Sequence, residues 1–559
     1  MLKGHPKGLI VLFFTNMGER FGYYTMLAIF TLFLQAKYGY TAAEATQFFG
    51  IFLAAIYFMP LVGGLIADRV LGYGKTIGIG IFVMFLGYLL MVLPIVADPG
   101  LWLIITALAV ISLGTGLFKG NLQALVGNLY DAPEYSKNRD VAFNIFYMGI
   151  NIGAMFAPTA ANFVSNWILK GHNYTYDAGI PALAHKFLGG DASVTGELTK
   201  LAQAQGANVA DLAGFAKNYI GVLGESYHYA FGVACISLIL SMLIFWLFRK
   251  YYKHADMTEA EKAKNVDTKN QVVELTPQQT KERLVALGLV FFVVIFFWMA
   301  FHQNGAAMTI FARDYTVGSV DFYTNTWFDL FGLLPIFLSL VGLVFMIKKN
   351  VQARTRILGA IAFAGFAILA YFRINTYESI NPFTPQMFQH FNPFFIVALT
   401  PLVVMFFSWL NRRGKEPSAP RKIGIGMVIT AIGFTMLVIG SLSLTGFSPM
   451  DINEVRAPEN MLVTPYWLIS TYFILTIAEL FLSPMGISFV SRVAPPKYKG
   501  LMQGGWLAAT AIGNYAVALM GLLWNQVQLW VFWAILVVCC LLSATFIFSI
   551  MKRLETATK

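Results

Sequence analysis

Apolar runs of twenty or more residues recur from one end of this chain to the other. No other feature constrains its fold as tightly, because about twenty apolar residues in a helix match the hydrocarbon thickness of a bilayer. The runs fall at 9–34, 47–67, 77–97, 101–126, 142–168, 228–248, 284–312, 324–347, 356–373, 391–410, 421–445, 462–490, 500–524 and 528–551. That is about fourteen spans by the length criterion. Composition agrees: 57% of the 559 residues are hydrophobic and 12% are charged, about half the charged share of a soluble domain. The pattern predicts an all-α polytopic membrane protein with no soluble catalytic domain. The opening "MLKGHPKG" leads into a run that carries Glu19 and Arg20. The core of a signal peptide is shorter and uncharged, so this run is expected to be a retained helix.

Charge orients the spans. With the N-terminus in the cytoplasm, the inner loops read "DRVLGYGK", "YDAPEYSKNR", "RKYYKHADM", "KKNVQARTR", "NRRGKEPSAPRK" and "RVAPPKYKG", all basic. Short outer loops such as "VADPG" and "GFSPMDINEVRAPEN" carry few Lys or Arg, as the positive-inside rule requires. An even number of spans then returns the C-terminus to the cytoplasm. The same rule accounts for the net charge of +11, so nucleic acid is not an expected partner. Cys235, Cys539 and Cys540 lie in apolar runs, which argues against disulfides, metal sites and thiol catalysis. No metal-ligand cluster or nucleophile–base pair is evident, no cofactor is expected, and "GLFKGN" lacks the spacing of a phosphate loop.

Three segments interrupt the spans. Residues 169–227 form a long outer loop, and its stretch "GELTKLAQAQGANVADLAGFAKNYIGVLG" is expected to be partly helical. Residues 249–283 form a polar cytoplasmic linker in which Thr258 and Glu261 have capping-box spacing. Six spans precede the linker and about eight follow it. The expected organisation is therefore an N-terminal six-helix bundle at 1–248, the linker, and a C-terminal bundle at 284–559. An added helix pair at about 324–373 belongs to the second bundle. It brings no charge to the membrane interior, so it is expected to pack outside the core. Small-residue spacings in "GTGLFKGN" and "GGLIAD" allow close helix contacts.

Few ionisable residues lie at membrane depth: Glu19, Arg20, Lys119 and Glu479, with His302 as a further titratable group. Each charge at a helix centre costs about 2.5–3.5 kcal/mol or more, so each needs a cavity or a partner. A purely structural alternative pairs them as static salt bridges. Their distribution favours function, because three helices supply them, two in the first half and one in the second, as in a carrier whose halves rock about a central site. Tyr23, Tyr24, Tyr57, Asn151, Asn392, Trp298 and Trp506 also lie in the spans. Singly, such residues are more often packing or interface residues. Together they would line a site for an amphipathic zwitterion, with Arg20 and Lys119 on a carboxylate and Glu479 on an ammonium. A short peptide fits, since a tripeptide extends about 10 Å.

Several stretches resemble motifs of the proton-dependent oligopeptide transporters, a branch of the major facilitator superfamily. "GERFGYY" resembles the first-helix motif of that family. "GGLIADRVLGYGKTI" resembles its second-helix and loop motif, with Asp68 at the acidic position. "GTGLFKGN" is similar to the fourth-helix lysine motif, with Gly120 in place of the usual proline. "FYMGINIG" resembles the fifth-helix signature, and "FQHFNPFFI", "AELFLSPMGIS" and "MQGGWLAATAIGN" resemble the eighth, tenth and eleventh helices. The resemblance implies a major facilitator fold of two six-helix bundles plus an extra transmembrane pair. It also implies roles: Arg20 and Lys119 bind a peptide carboxylate, and Asn151, Asn392 and Glu479 receive the amino end. Tyr23, Tyr24, Tyr57, Trp298 and Trp506 shape side-chain pockets, and Glu19 and Glu479 join the coupling network.

Three positions depart from the family pattern. Asn16 stands where a glutamate is usual, His302 where many bacterial members carry a glutamate, and Leu27 where an outer-end arginine is common. The extra pair also follows the seventh core helix, whereas many bacterial members place it between the halves. The expected function is import of di- and tripeptides across a cell inner (plasma) membrane, coupled to protons through an altered network of Glu19, Glu479 and His302. The expected partners are peptides, protons and the lipid bilayer. The alternatives are a carrier of the same fold for another small organic anion, a weakly coupled or facilitative carrier, and a receptor that senses peptides without moving them. An enzyme is not expected.

Overall fold

The computed structural model describes residues 4–95, 100–131, 133–136, 138–256, 276–349, 351–449, 455–495 and 498–557. Fourteen long helices run through them. The first six are α1 Lys7–Tyr38, α2 Ala42–Ile66, α3 Tyr73–Val92, α4 Leu101–Asn128, α5 Arg139–Gly171 and α6 Leu212–Leu247. The rest are α7 Pro277–Phe301, α8 Leu330–Ile347, α9 Ala353–Ile374, α10 Phe391–Arg412, α11 Ala419–Leu442, α12 Tyr466–Val493, α13 Lys499–Gly521 and α14 Leu529–Ser549. Each overlaps one predicted run. Twelve are long and apolar enough to cross a membrane. The other two are α1, with Glu19, Arg20 and two tyrosines at its centre, and the glycine-rich α13. The protein is an all-α polytopic membrane protein.

Local chemistry sets several helix ends. A capping box opens α2, where the Thr41 hydroxyl accepts the Glu44 N–H and the Glu44 carboxylate accepts the Thr41 N–H. A second opens α7, with Thr276 and Gln279 as partners and Pro277 at the first helical position. The Thr258–Glu261 spacing lies outside the described residues. Gly39 ends α1 in the left-handed conformation, φ 67°. The predicted close contact also forms: a Cβ on Gly63 would collide with the Gly116 carbonyl, so α2 and α4 meet backbone to backbone.

Two apolar cores organise the helices. One is built almost wholly from residues of α1 to α6 and the outer segment after α5, the other from α7 to α14. Only a few buried residues join the core of the opposite half, such as Ala42 and Met155 in the second core and Ala306 and Val517 in the first. α8 and α9 pack on each other, and α8 leans on α10 through Phe337 and Phe394, whose ring centroids are 5.7 Å apart. In α9 only Gly359 and Ala370 are buried. A two-stranded pairing of β1 Ser319–Asp321 with β2 Ile380–Pro382 closes the base of this hairpin, at the end away from the α8–α9 turn, and Arg373 pairs with Asp329 at 2.6 Å.

Two boundaries differ from the apolar runs. α6 starts at Leu212, well before residue 228, so the outer loop is shorter than predicted. It contains the helices Ile180–Leu188 and Thr195–Ala204, in line with the predicted partial helicity. The early turns of α6 are amphipathic: Phe215, Ala216, Tyr219 and Leu223 are buried, while polar residues between them lower the local hydropathy below that of a span. The seventh run contains a break. α7 stops at Phe301, a 3₁₀ turn covers His302–Gly305, and helix Ala307–Asp314 follows. The carbonyl of Asn304, freed by the break, accepts from Tyr472 Oη (3.0 Å) and Thr309 Oγ1 (2.8 Å), so the irregular backbone is satisfied inside the protein.

Candidate functional site

Glu19 and Arg20 are 2% and 3% exposed. Neighbours on a helix do not normally face each other, yet these two long side chains fold together. Arg20 donates Nε to Glu19 Oε2 at 2.5 Å and Nη2 to Oε1 at 2.6 Å. Its guanidinium also lies 4.6 Å from the centroid of the Tyr23 ring, which meets Tyr24 edge-on at 5.0 Å. Arg20 makes no other hydrogen bond to a described residue, so part of its donor fork is uncommitted. One turn earlier, the buried Asn16 Nδ2 has no partner.

Lys119 on α4 has a different environment. Its ammonium sits 3.6 Å from the centroid of the Tyr57 ring and pairs with no carboxylate among the described residues. A cation over an aromatic face gains about 0.5–2 kcal/mol, much less than a buried ion pair. Tyr57 continues the line to His302 (centroids 5.9 Å), and His302 stacks on Trp298 at 5.1 Å and 20°. His302 Nδ1 and Trp298 Nε1 are buried without partners. His302 pairs with no carboxylate among the described residues.

Glu479 on α12 is 7% exposed. Asn392 Nδ2 on α10 donates to Glu479 Oε2 at 2.9 Å and to Thr476 Oγ1 at 3.1 Å. Tyr147 on α5 reaches Glu479 Oε1 at 3.5 Å. This contact crosses from one half to the other, and Tyr147 is 42% exposed. Asn151, one turn on, donates to the Tyr147 carbonyl at 3.1 Å and helps hold it. Trp506 on α13 packs edge-on to Phe291 at 6.4 Å, on the second-half wall.

The helices α1, α2, α4, α5, α7, α10, α12 and α13, with the 3₁₀ turn after α7 that holds His302, thus carry all the predicted site residues. They form three groups: Glu19–Arg20–Tyr23–Tyr24, Lys119–Tyr57–His302–Trp298, and Glu479–Asn392–Tyr147 with Asn151. Trp506 stands apart from these three in direct contacts. None of the predicted site residues lies on α8 or α9.

Sequence reasoning did not single out Tyr147 or Thr476. Each stands near a residue that was singled out, Tyr147 four positions before Asn151 and Thr476 three before Glu479, so helical spacing would have placed both on the same face. It also passed over Arg313 and Asp314, which fall just beyond the predicted run 284–312. They are buried at 7% and 4% exposure, with Arg313 Nε 2.6 Å from Asp314 Oδ1. Arg313 Nη1 donates across the halves to Gln35 Oε1 at 2.7 Å, and Arg456 donates to the Arg313 carbonyl. Adjacent opposite charges at the edge of a span, as in Glu19–Arg20, were the available signal. Further bonds join the halves near this end: Gln389 Nε2 to the Ala28 carbonyl (3.3 Å) and Thr384 Oγ1 to Asn162 Oδ1 (2.7 Å).

The arrangement sets Lys119 on the first half and Glu479 on the second, each with mainly neutral company. It can bind a molecule that carries both charges, and it can change its pairing when the halves move.

Comparison with known proteins places the fold. A peptide transporter of Yersinia enterocolitica is 26% identical over 93% of this chain and 88% of its own. A di-/tripeptide transporter of Lactococcus lactis is 26% identical over 90% of this chain and 87% of its own. A POT family transporter solved in complex with 5-aminolevulinic acid shares the fold, with a TM-score of 0.67 at 19% identity over 100% of this chain and 98% of that one. The family described as PTR2, POT family, matches residues 74–275 and 378–532, more than half of the chain. This protein belongs to the POT family of transporters.

Proposed function

We propose that this protein is a secondary active carrier that imports di- and tripeptides, coupled to protons. The observation that carries this reading is the separation of uncompensated charge. Among the described residues, Lys119 in the first half makes its close contact with the Tyr57 ring, and Glu479 in the second half bonds to Asn392 and Tyr147. A buried charge without a counter-charge is costly. A zwitterionic peptide supplies both missing partners, its carboxylate to Lys119 and the free edge of Arg20, its ammonium to Glu479. Asn151 and Asn392 hold the amino end. Tyr23, Tyr24, Tyr57, Trp298 and Trp506 supply the walls for varied side chains. The peptide-transporting relatives support this choice of cargo.

The moving units are the bundles 1–248 and 284–559, joined by the linker 249–283, with the pair at about 324–373 set to one side. Protons act through Glu19, Glu479 and His302, and the two carboxylates carry most of the coupling. Basic loops put both termini in the cytoplasm of a cell whose inner (plasma) membrane holds the protein. A second cargo class is another small organic anion; the similar transporter's ligand, 5-aminolevulinic acid, is itself an amine-carboxylate zwitterion and supports a zwitterionic cargo instead.

The test is uptake of a non-hydrolysable dipeptide into proteoliposomes under an imposed pH gradient. Accumulation above equilibrium is expected. Binding without flux would leave a receptor, flux only to equilibrium a facilitative carrier, and failure of dipeptides to compete for a transported anion would change the cargo.

A further inference from the structure

The outward surface between the start of α3 and the end of α6 carries a groove of 520 Å³. Its walls are apolar: Gly78, Ile79 and Phe82 on one side, Trp246 on the other. The groove exists partly because residue 78 is glycine. A Cβ there would stand 3.0 Å from Trp246 Nε1. Ile79, Phe82 and Trp246 remain 43%, 46% and 50% exposed, so neighbouring helices leave the groove uncovered.

Two cations stand at one end of it, Lys75 in the first turn of α3 and Arg249 just beyond α6. Both are exposed. Neither side chain makes a hydrogen bond or ion pair with a described residue. One acid borders the same end, but the Asp256 carboxylate accepts the Gly74 N–H at 2.7 Å and so caps the start of α3. The tryptophan sits at the same end of the span as the cations, where an indole prefers the boundary between hydrocarbon and headgroups.

An exposed apolar trough that ends in two cations with no partner among the described residues complements one kind of molecule. We propose that the groove binds an anionic phospholipid of the leaflet at the N-terminal face. An acyl chain lies against Ile79, Phe82 and Trp246. The phosphate sits between Lys75 and Arg249, at the base of the first half where the chain leaves α6. Basic side chains beside a span attract anionic headgroups in this way. The site is separate from the central charges, and the proposal does not depend on what the protein carries.

The experiment is native mass spectrometry of the full chain released from nanodiscs of equal phosphatidylglycerol and phosphatidylcholine. The wild type is expected to retain phosphatidylglycerol preferentially. One basic side chain near an anionic surface contributes about a fivefold preference, two about thirtyfold. Lys75→Gln with Arg249→Gln should therefore lower the preference about thirtyfold. Gly78→Phe, which fills the trough, should reduce retention of both lipids. Lys250→Gln is the control, since its ammonium lies 5.2 Å from the Tyr251 ring outside the groove, and it should leave the preference unchanged. The proposal is overturned if the double variant keeps the wild-type preference, or if Lys250→Gln loses as much, which would assign the effect to surface charge in general.

Discussion

Two places in this molecule use the same local device, an arginine beside an acid on one helix, and they do so for different ends. Glu19–Arg20 lies at the centre of α1, and Arg313–Asp314 closes the short helix after the α7 break. Both pairs are buried and bidentate. The difference lies in what surrounds them. Arg313 also donates to Gln35 of the opposite half, and its carbonyl is held by Arg456. Arg20 has an aromatic face beside it and donors to spare. The pair tied to other protein groups fits a clasp; the one with fewer ties is the one we propose as a binding group. Charge alone does not separate the two roles, because the local geometry is almost the same.

The largest effect expected is on the central pair. Arg20→Ala should abolish dipeptide uptake in proteoliposomes, and leaving Glu19 buried alone should also cost about 3–5 kcal/mol of stability. Glu19→Gln with Arg20→Ala removes that orphaned charge, so its Tm should recover while binding stays lost. The matching pair of changes, Arg313→Ala with Asp314→Asn, should leave equilibrium binding of the dipeptide within about threefold, since the hydrogen bonds it removes join protein groups to one another. Equal loss of binding in both double variants would collapse the distinction between clasp and binding group.

Lys119→Ala sharpens the same point. Its loss should weaken dipeptide binding about a hundredfold, the value of one compensated charge at membrane depth. No carboxylate is orphaned, so Tm should hold or rise. A large fall in Tm would mean that Lys119 has a structural partner after all.

Glu479→Gln keeps a hydrogen-bonding shape beside Asn392 but cannot release a proton. Uphill accumulation under a pH gradient should fall to equilibrium, while exchange of labelled for unlabelled dipeptide persists. Loss of both would assign Glu479 to binding alone.

Gln35→Ala removes a bond from the outer clasp that, as a hydrogen bond to a charged group, is worth about 1.5–3 kcal/mol. In a background without native cysteines, Ala28→Cys should then react with an impermeant thiol reagent about tenfold faster. An unchanged rate would deny the clasp any part in closing that end.

The smallest effect expected is that of His302→Ala. It stacks on Trp298 and pairs with no carboxylate among the described residues, so uphill accumulation should drop by about two- to threefold, the value of one stacking contact. Complete loss would move the main coupling role to His302.

The sequence by itself determined the class of the fold and supplied most of the candidates for its site. Twenty-residue apolar runs leave the backbone no option but the helix inside a bilayer, and the scarcity of charge at depth made Glu19, Arg20, Lys119 and Glu479 conspicuous. Boundaries were legible only where hydropathy and helicity coincide. They diverged at the amphipathic start of α6 and at the His302–Gly305 break, because hydropathy records neither which face is buried nor which carbonyl is satisfied from another helix. Tertiary structure alone decided the partners. It gave Arg20 to Glu19, left Lys119 with a ring, set Tyr147 against Glu479 and sent Arg313 across to Gln35. Those choices depend on which helices face each other across residues far apart in the chain, and a buried charge becomes a clasp or a binding group according to that packing.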